Sequence, residues 1–140
     1  MYNANTNRGF AFAMLTSKGG LSLQEYAEAR DLTHRANYSL YHDLRSVYMD
    51  ARLKYSWKCE KHRFYLIERT TESYAQELAR KREALLQSDI DDASDIIVDG
   101  EVIATREKVI QRRRENDEYI AASNRNTLKT AERQAAKFFR

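Results

Sequence analysis

The chain contains no proline and only four glycines, at positions 9, 19, 20 and 100 of its 140 residues. Proline breaks helix interiors and glycine weakens them, so little in this sequence prevents helix over most of its length. The length fits one domain, or one small domain with an appendage. Charged residues make up 32% and mean hydropathy is −0.78, which is polar for a compact domain. The expected fold class is mainly α with small β-hairpins, a modest core and solvated helix beside it.

Several function classes are disfavoured at once. Cys59 is the single cysteine, so there is no intramolecular disulfide framework. His34, His42 and His62 form no metal-ligand spacing such as HxxxH on one helix, so neither a metal nor a cofactor is expected. No apolar run approaches the roughly 20 residues that span a bilayer, and MYNANTNRGF lacks a basic-then-apolar leader pattern; the expected setting is cytoplasmic, without a membrane partner. No Gly-rich phosphate loop or nucleophile elbow is present. Paired carboxylates occur only in an acidic stretch with nothing apolar to raise a carboxyl pKa, so a non-enzyme is expected.

Charge is distributed in blocks. Residues 1–33 are balanced, residues 34–69 carry eight Lys/Arg against four Asp/Glu, residues 70–104 three against nine, and residues 105–140 ten against five. The basic block at 34–69 also holds all three histidines, and six of the nine tyrosines fall between positions 26 and 65.

The first half reads as a series of short elements. Asn7 is a candidate cap for a helix over Arg8–Ser17 that Lys18-Gly19-Gly20 would end. Leu21 is an extended link, and Ser22-Leu23-Gln24-Glu25 reads as a capping box opening a second helix to about Asp31-Leu32. Thr33 is the next candidate cap. From there to about Leu53, Ala36, Leu40, Leu44, Val47 and Ala51 recur at helical spacing. Leu53–Lys58 and Arg63–Glu68 then alternate around a polar connection, Cys59-Glu60-Lys61-His62, as a β-hairpin would. Trp57 and Phe64 read as anchors of that hairpin to the core.

This order of helix, link, helix, turn, longer helix and basic hairpin resembles a winged helix-turn-helix domain. LSLQEYAEARDLTHRANYSLYHDLRSV looks like its helix-turn-helix, with the small Ala27 in the first helix. SLYHDLRSV resembles the T-V-Y-R-D-L-x-x-L ending of recognition helices in the bacterial and phage repressor type. The resemblance covers about residues 8–69. It departs from the pattern where Arg30-Asp31-Leu32 replaces the usual turn glycine, and the spacing from Ala27 to Leu40 is about three residues longer than in the tight motif.

The resemblance implies a sequence-specific double-stranded DNA-binding protein, a transcriptional regulator of bacterial or mobile-element origin. His34, Arg35, Asn37, Tyr38, Tyr41 and His42 would face the bases, with Arg35 suited to guanine and Asn37 to adenine, while Leu40 and Leu44 face the core. Arg45, Lys54, Lys58, Lys61, His62 and Arg63 would meet phosphates or form the wing. Two alternatives stay open: a protein–protein adaptor or inhibitor on the same scaffold, and a replication or partition initiator. A tyrosine-rich helix face also suits a core or a dimer contact.

Residues 1–69 are expected to fold alone as this domain, with 70–140 as a helical and hairpin arm for oligomerisation or partner binding. Thr70/Thr71-Glu72 opens a helix to about Gln87, followed by an acidic linker over 88–95. Asp99-Gly100 between β-branched runs is a strong hairpin signal. Thr105 then starts a long polar helix whose tail, Ala131, Ala135, Phe138 and Phe139, forms a small apolar face. An exposed apolar hairpin points to a homodimer through residues beyond 70.

Overall fold

The computed structural model describes residues 3–139. It is mainly helical with two small antiparallel sheets, in the order α1 (Asn7–Leu15), β1 (Leu21–Ser22), α2 (Leu23–Ala29), α3 (Asn37–Ala51), β2 (Tyr55–Glu60), β3 (Arg63–Glu68), α4 (Tyr74–Asp91), β4 (Ile96–Val98), β5 (Glu101–Ala104) and α5 (Arg106–Phe138). The chain forms two compact units: one runs up to Glu72 and takes in the chain again from Thr130, and the other is Ser73–Lys129.

In the first unit, the side chain of Thr6, not Asn7, caps α1 by accepting from the Gly9 N–H. The Asn7 amide oxygen instead accepts from Arg30 Nε at 2.8 Å. The Gly-Gly pair does not end α1. The helix closes at Thr16, whose hydroxyl bonds back to the Phe12 carbonyl at 2.8 Å. Gly20 serves the next step, with φ +64 carrying the chain into β1.

The extended link is a true strand, since β1 pairs antiparallel with β3 and the sheet order is β1-β3-β2. Ser22 caps α2 through the Glu25 N–H, but the capping box is half built because the Glu25 carboxylate pairs with the Arg63 guanidinium. Thr33 caps nothing: α3 begins four residues later, behind Ala36, with no side-chain cap. Leu32 N–H bonds to the Ala27 carbonyl and Asp31 takes φ +56, so the α2–α3 connection tightens without a glycine.

The hairpin turn is shorter than the sequence suggests. Cys59 pairs with Phe64 and Glu60 with Arg63, so both lie in β2, and the turn is Lys61-His62 alone. Positive φ at both residues, 51 and 64, makes it the type I′ turn that matches strand twist.

The core of this unit joins Leu15, Leu21, Tyr26, Leu40, Leu44, Val47, Ala51, Phe64 and Leu66. It also takes Phe138, which is 5% exposed and meets Phe12 edge-on at 5.0 Å between ring centroids. Phe139 stacks on Tyr55 at 6.4 Å. The apolar tail of α5 is therefore part of the first unit's core. Residues 1–69 do not contain the whole of it.

In the second unit, α4 starts at Ser73 with a complete capping box to Gln76, not at Thr70 or Thr71. It runs on through Asp91, so half of the expected acidic linker is helical. Arg82 pairs with Asp117 at 3.3 Å, and the Arg113 guanidinium donates to the Asp89 carbonyl. Asp95 accepts from the Arg106 N–H at 2.6 Å. These partners converge on the β4–β5 turn, so α4 and the first part of α5 run antiparallel. Asp99 and Gly100 form the two-residue turn with φ 52 and 80, as the Asp-Gly signal implies. Ala93 and Val109 are the buried apolar residues of this unit among those described.

Candidate nucleic-acid interface

The apolar stripe of α3 fixes which side faces out. Leu40, Leu44, Val47, Tyr48 and Ala51 are buried. A helix turns 100° per residue, so Tyr38, His42 and Arg45 point away from that stripe, Tyr41 lies on its flank toward the hairpin, and Asn37, in line with the stripe, is exposed as the first residue of α3. Tyr38 is 79% exposed, and Asn37 and His42 are also exposed. The Tyr38 and His42 rings lie nearly parallel at 6.3 Å.

Two neighbouring groups hold this face in place. Beneath it, Asp43 accepts from Arg35 Nη1 at 2.6 Å and from the Tyr26 hydroxyl at 3.2 Å, joining α2, the connection and α3. Burial, with the Asp43 charge beside it, pushes the Tyr26 hydroxyl up to about 12. The hydrogen bond to Asp43 raises the Arg35 guanidinium further. Beside it, Tyr41 meets Phe64 at 5.5 Å and Trp57 at 6.1 Å, so α3 leans on the hairpin through aromatic rings. Arg45 lies over Tyr48 at 4.6 Å and over Trp57 at 5.2 Å, which fixes its guanidinium along the same seam.

The twelve anticipated residues do not all gather. Tyr38 and His42 form one exposed helical surface, Tyr41 flanks it toward the hairpin, and Asn37 is exposed at the start of the helix. Lys61 and His62 stand exposed at the hairpin turn. An open cleft of about 560 Å³ is lined by Asn37 and Arg35 on one side and by Cys59 and His62 on the other. His34 is exposed in the α2–α3 connection and is not helical. Arg35 lies in the same connection and is committed to Asp43. Arg63 is drawn back from the hairpin tip to Glu25 and to the Gly19 carbonyl at 2.7 Å. That ion pair also holds the Glu25 carboxyl below its ordinary value. Lys58 pairs with Glu60 at 3.1 Å, and Lys54 sits over the Phe139 ring at 4.0 Å.

Sequence reasoning passed over two participants. Gln24 lines the cleft from the first turn of α2 and donates to Glu28 at 3.0 Å; the Ser22 cap was the available signal, since it sets which residues of that turn face out. Asp43 organises the site, but only the tertiary partners reveal it. Among the described residues, no group of three His, Cys, Asp or Glu side chains could hold a metal ion, and no helix is long and apolar enough to cross a membrane. Comparison with protein-family models, with curated proteins and with solved structures gave no match to this chain.

Proposed function

We propose that the first unit is a winged helix-turn-helix domain that binds double-stranded DNA in a sequence-specific way, and that the protein is a transcriptional regulator of bacterial or mobile-element type. The observation that carries this reading is the exposure of Tyr38 and His42 on α3 beside a cleft that Asn37, at the start of the same helix, and His62, in the exposed Lys61-His62 turn, both line. The order α1-β1-α2-α3-β2-β3, with β1 closing the sheet against β3, supports it.

In this reading the N-terminal half of α3 enters the major groove. Asn37 offers a bidentate amide to adenine, and Tyr38, Tyr41 and His42 contact base edges or thymine methyls. Lys61 and His62 meet the adjacent backbone, where Lys contributes affinity but no sequence information. Arg35 and Arg63 are positioning residues rather than readers: one fixes the start of α3 and the other ties the hairpin to α2. Selection from a random double-stranded library, followed by gel shift at two salt concentrations, tests the proposal. Binding should enrich one motif and weaken steeply as salt rises. Recovery of unenriched sequence would reject it.

A protein–protein adaptor on the same scaffold is the second reading. It is favoured by the 79% exposure of Tyr38 and by the aromatic character of the face. A stoichiometric protein partner that survives nuclease treatment and is lost in Tyr38→Ala would select it over the first.

A further inference from the structure

The basic residues of the first unit differ in what holds them. Arg35 pairs with Asp43, Arg63 with Glu25 and Lys58 with Glu60, so a carboxylate of the chain itself meets each of these charges. Arg45, half-buried on α3, is held by rings instead. Its guanidinium lies over Tyr48 at 4.6 Å and over Trp57 at 5.2 Å, and those two rings are 5.6 Å apart. Among the described residues it makes no ion pair and no side-chain hydrogen bond. The sequence accounts for this. Tyr41, His42, Tyr48 and Met49 occupy the positions one turn away on the helix, where a carboxylate would have paired with it.

We propose that Arg45 is a phosphodiester clamp: Tyr48 and Trp57 hold its guanidinium in place, and its planar fork takes one phosphate of the DNA backbone. The inference rests on the DNA reading given above and adds the residue through which α3 itself grips the backbone. Three properties of the seat favour a phosphate. Aromatic rings fix a cation without cancelling its charge, so an arriving anion meets the full field. The guanidinium N–H donors are not taken by the protein, and two of them in parallel match two phosphate oxygens. The seat also restrains a long side chain in advance, which lowers the entropy lost when the contact forms.

Position along the helix selects the partner. Tyr38, His42 and Arg45 follow one another at spacings of four and three, on the side of α3 away from the core. Arg45 therefore stands about 10 Å along the helix axis beyond Tyr38. The major groove is about 8.5 Å deep. A helix that sets Tyr38 and His42 among the base edges carries Arg45 up to the strand at the rim of the groove.

Titrations of the full chain with a short duplex of mixed sequence, across salt, test the clamp by gel shift and by the fluorescence of Trp57, the single tryptophan. The wild type should bind, and its fluorescence should change as Arg45 engages phosphate beside the indole. Arg45→Gln should weaken binding and lower the salt slope by about 1, and a saturating duplex should no longer alter the fluorescence. A purely structural role for Arg45 would change stability and leave that slope where it was. Arg45→Lys keeps the charge but loses the planar fork; it should keep the slope and bind about tenfold more weakly. Both variants should retain wild-type helical circular dichroism. A wild-type slope in Arg45→Gln, wild-type affinity in Arg45→Lys, or a duplex-dependent fluorescence change that persists in Arg45→Gln would overturn the clamp and leave the DNA reading standing. A wild type that does not bind duplex at low salt would overturn both.

Discussion

Asp43 shows how one carboxylate can set the geometry of a surface that it does not itself form. It accepts from both Tyr26 and Arg35, and so fixes where α3 starts relative to α2. Because the Tyr26 hydroxyl is raised from 10.0 to about 12, the fold favours the protonated form. The stabilisation is complete below pH 10 and is lost as pH rises toward 12. Thermal melts should therefore fall across that window, by at most about 1.4 kcal/mol per pH unit, and Tyr26→Phe should remove this component of the slope. A slope equal in wild type and variant would show that Tyr26 does not titrate as described. Arg35→Ala should lower the melting temperature because it breaks the Asp43 pair, although from sequence Arg35 reads as a free base contact. Leu40 is 2% exposed, and Leu40→Ala should cost about 2–5 kcal/mol in denaturant unfolding. A loss near zero would mean that α3 is rotated from the orientation that exposes Tyr38 and His42.

Elements whose signal is local were readable from sequence, and those that depend on a distant partner were not. The α3 stripe from Leu40 to Ala51 follows helical periodicity and stands as expected. So does the Asp99-Gly100 turn, where the preferred residues occupy the positive-φ positions. The β2–β3 turn is not legible in the sequence, because Lys61 and His62 adopt positive φ without glycine, which hides a two-residue turn inside a polar run. β1 was legible only as a link, since two residues become a strand by pairing with β3. Gly20 is the hinge of that pairing: a Cβ there would lie 2.7 Å from the Phe64 carbonyl oxygen, on a φ of +64. Gly20→Ala should destabilise the first unit by more than about 1 kcal/mol and should raise amide exchange in β1 and β3 first. Exchange unchanged in those strands would contradict the assigned role.

At the scale of the whole molecule, the tail of the last helix supplies a core residue to the first unit. Phe138→Ala should cost about 3–5 kcal/mol, because the side chain is 5% exposed and packs on Phe12. A chain ending at Arg69 should melt well below the intact protein, with stability partly restored by adding residues 130–140 as a peptide. An undiminished melt would show that the tail adds nothing to the core. Sequence showed the apolar tail but not its destination, since nothing local distinguishes a docking face from a dimer face. The central claim concerns the exposed surface of α3 and the Lys61-His62 turn, which should play separable parts on DNA. On the enriched site, binding titrations across salt of the wild type, Asn37→Ala and Lys61→Ala measure both parts together. Asn37→Ala should lose about 1–3 kcal/mol on that site and relax one base position while keeping the salt slope. Lys61→Ala should weaken binding to all sequences and reduce the slope by about 1. Unchanged affinity and specificity in both variants would contradict the account.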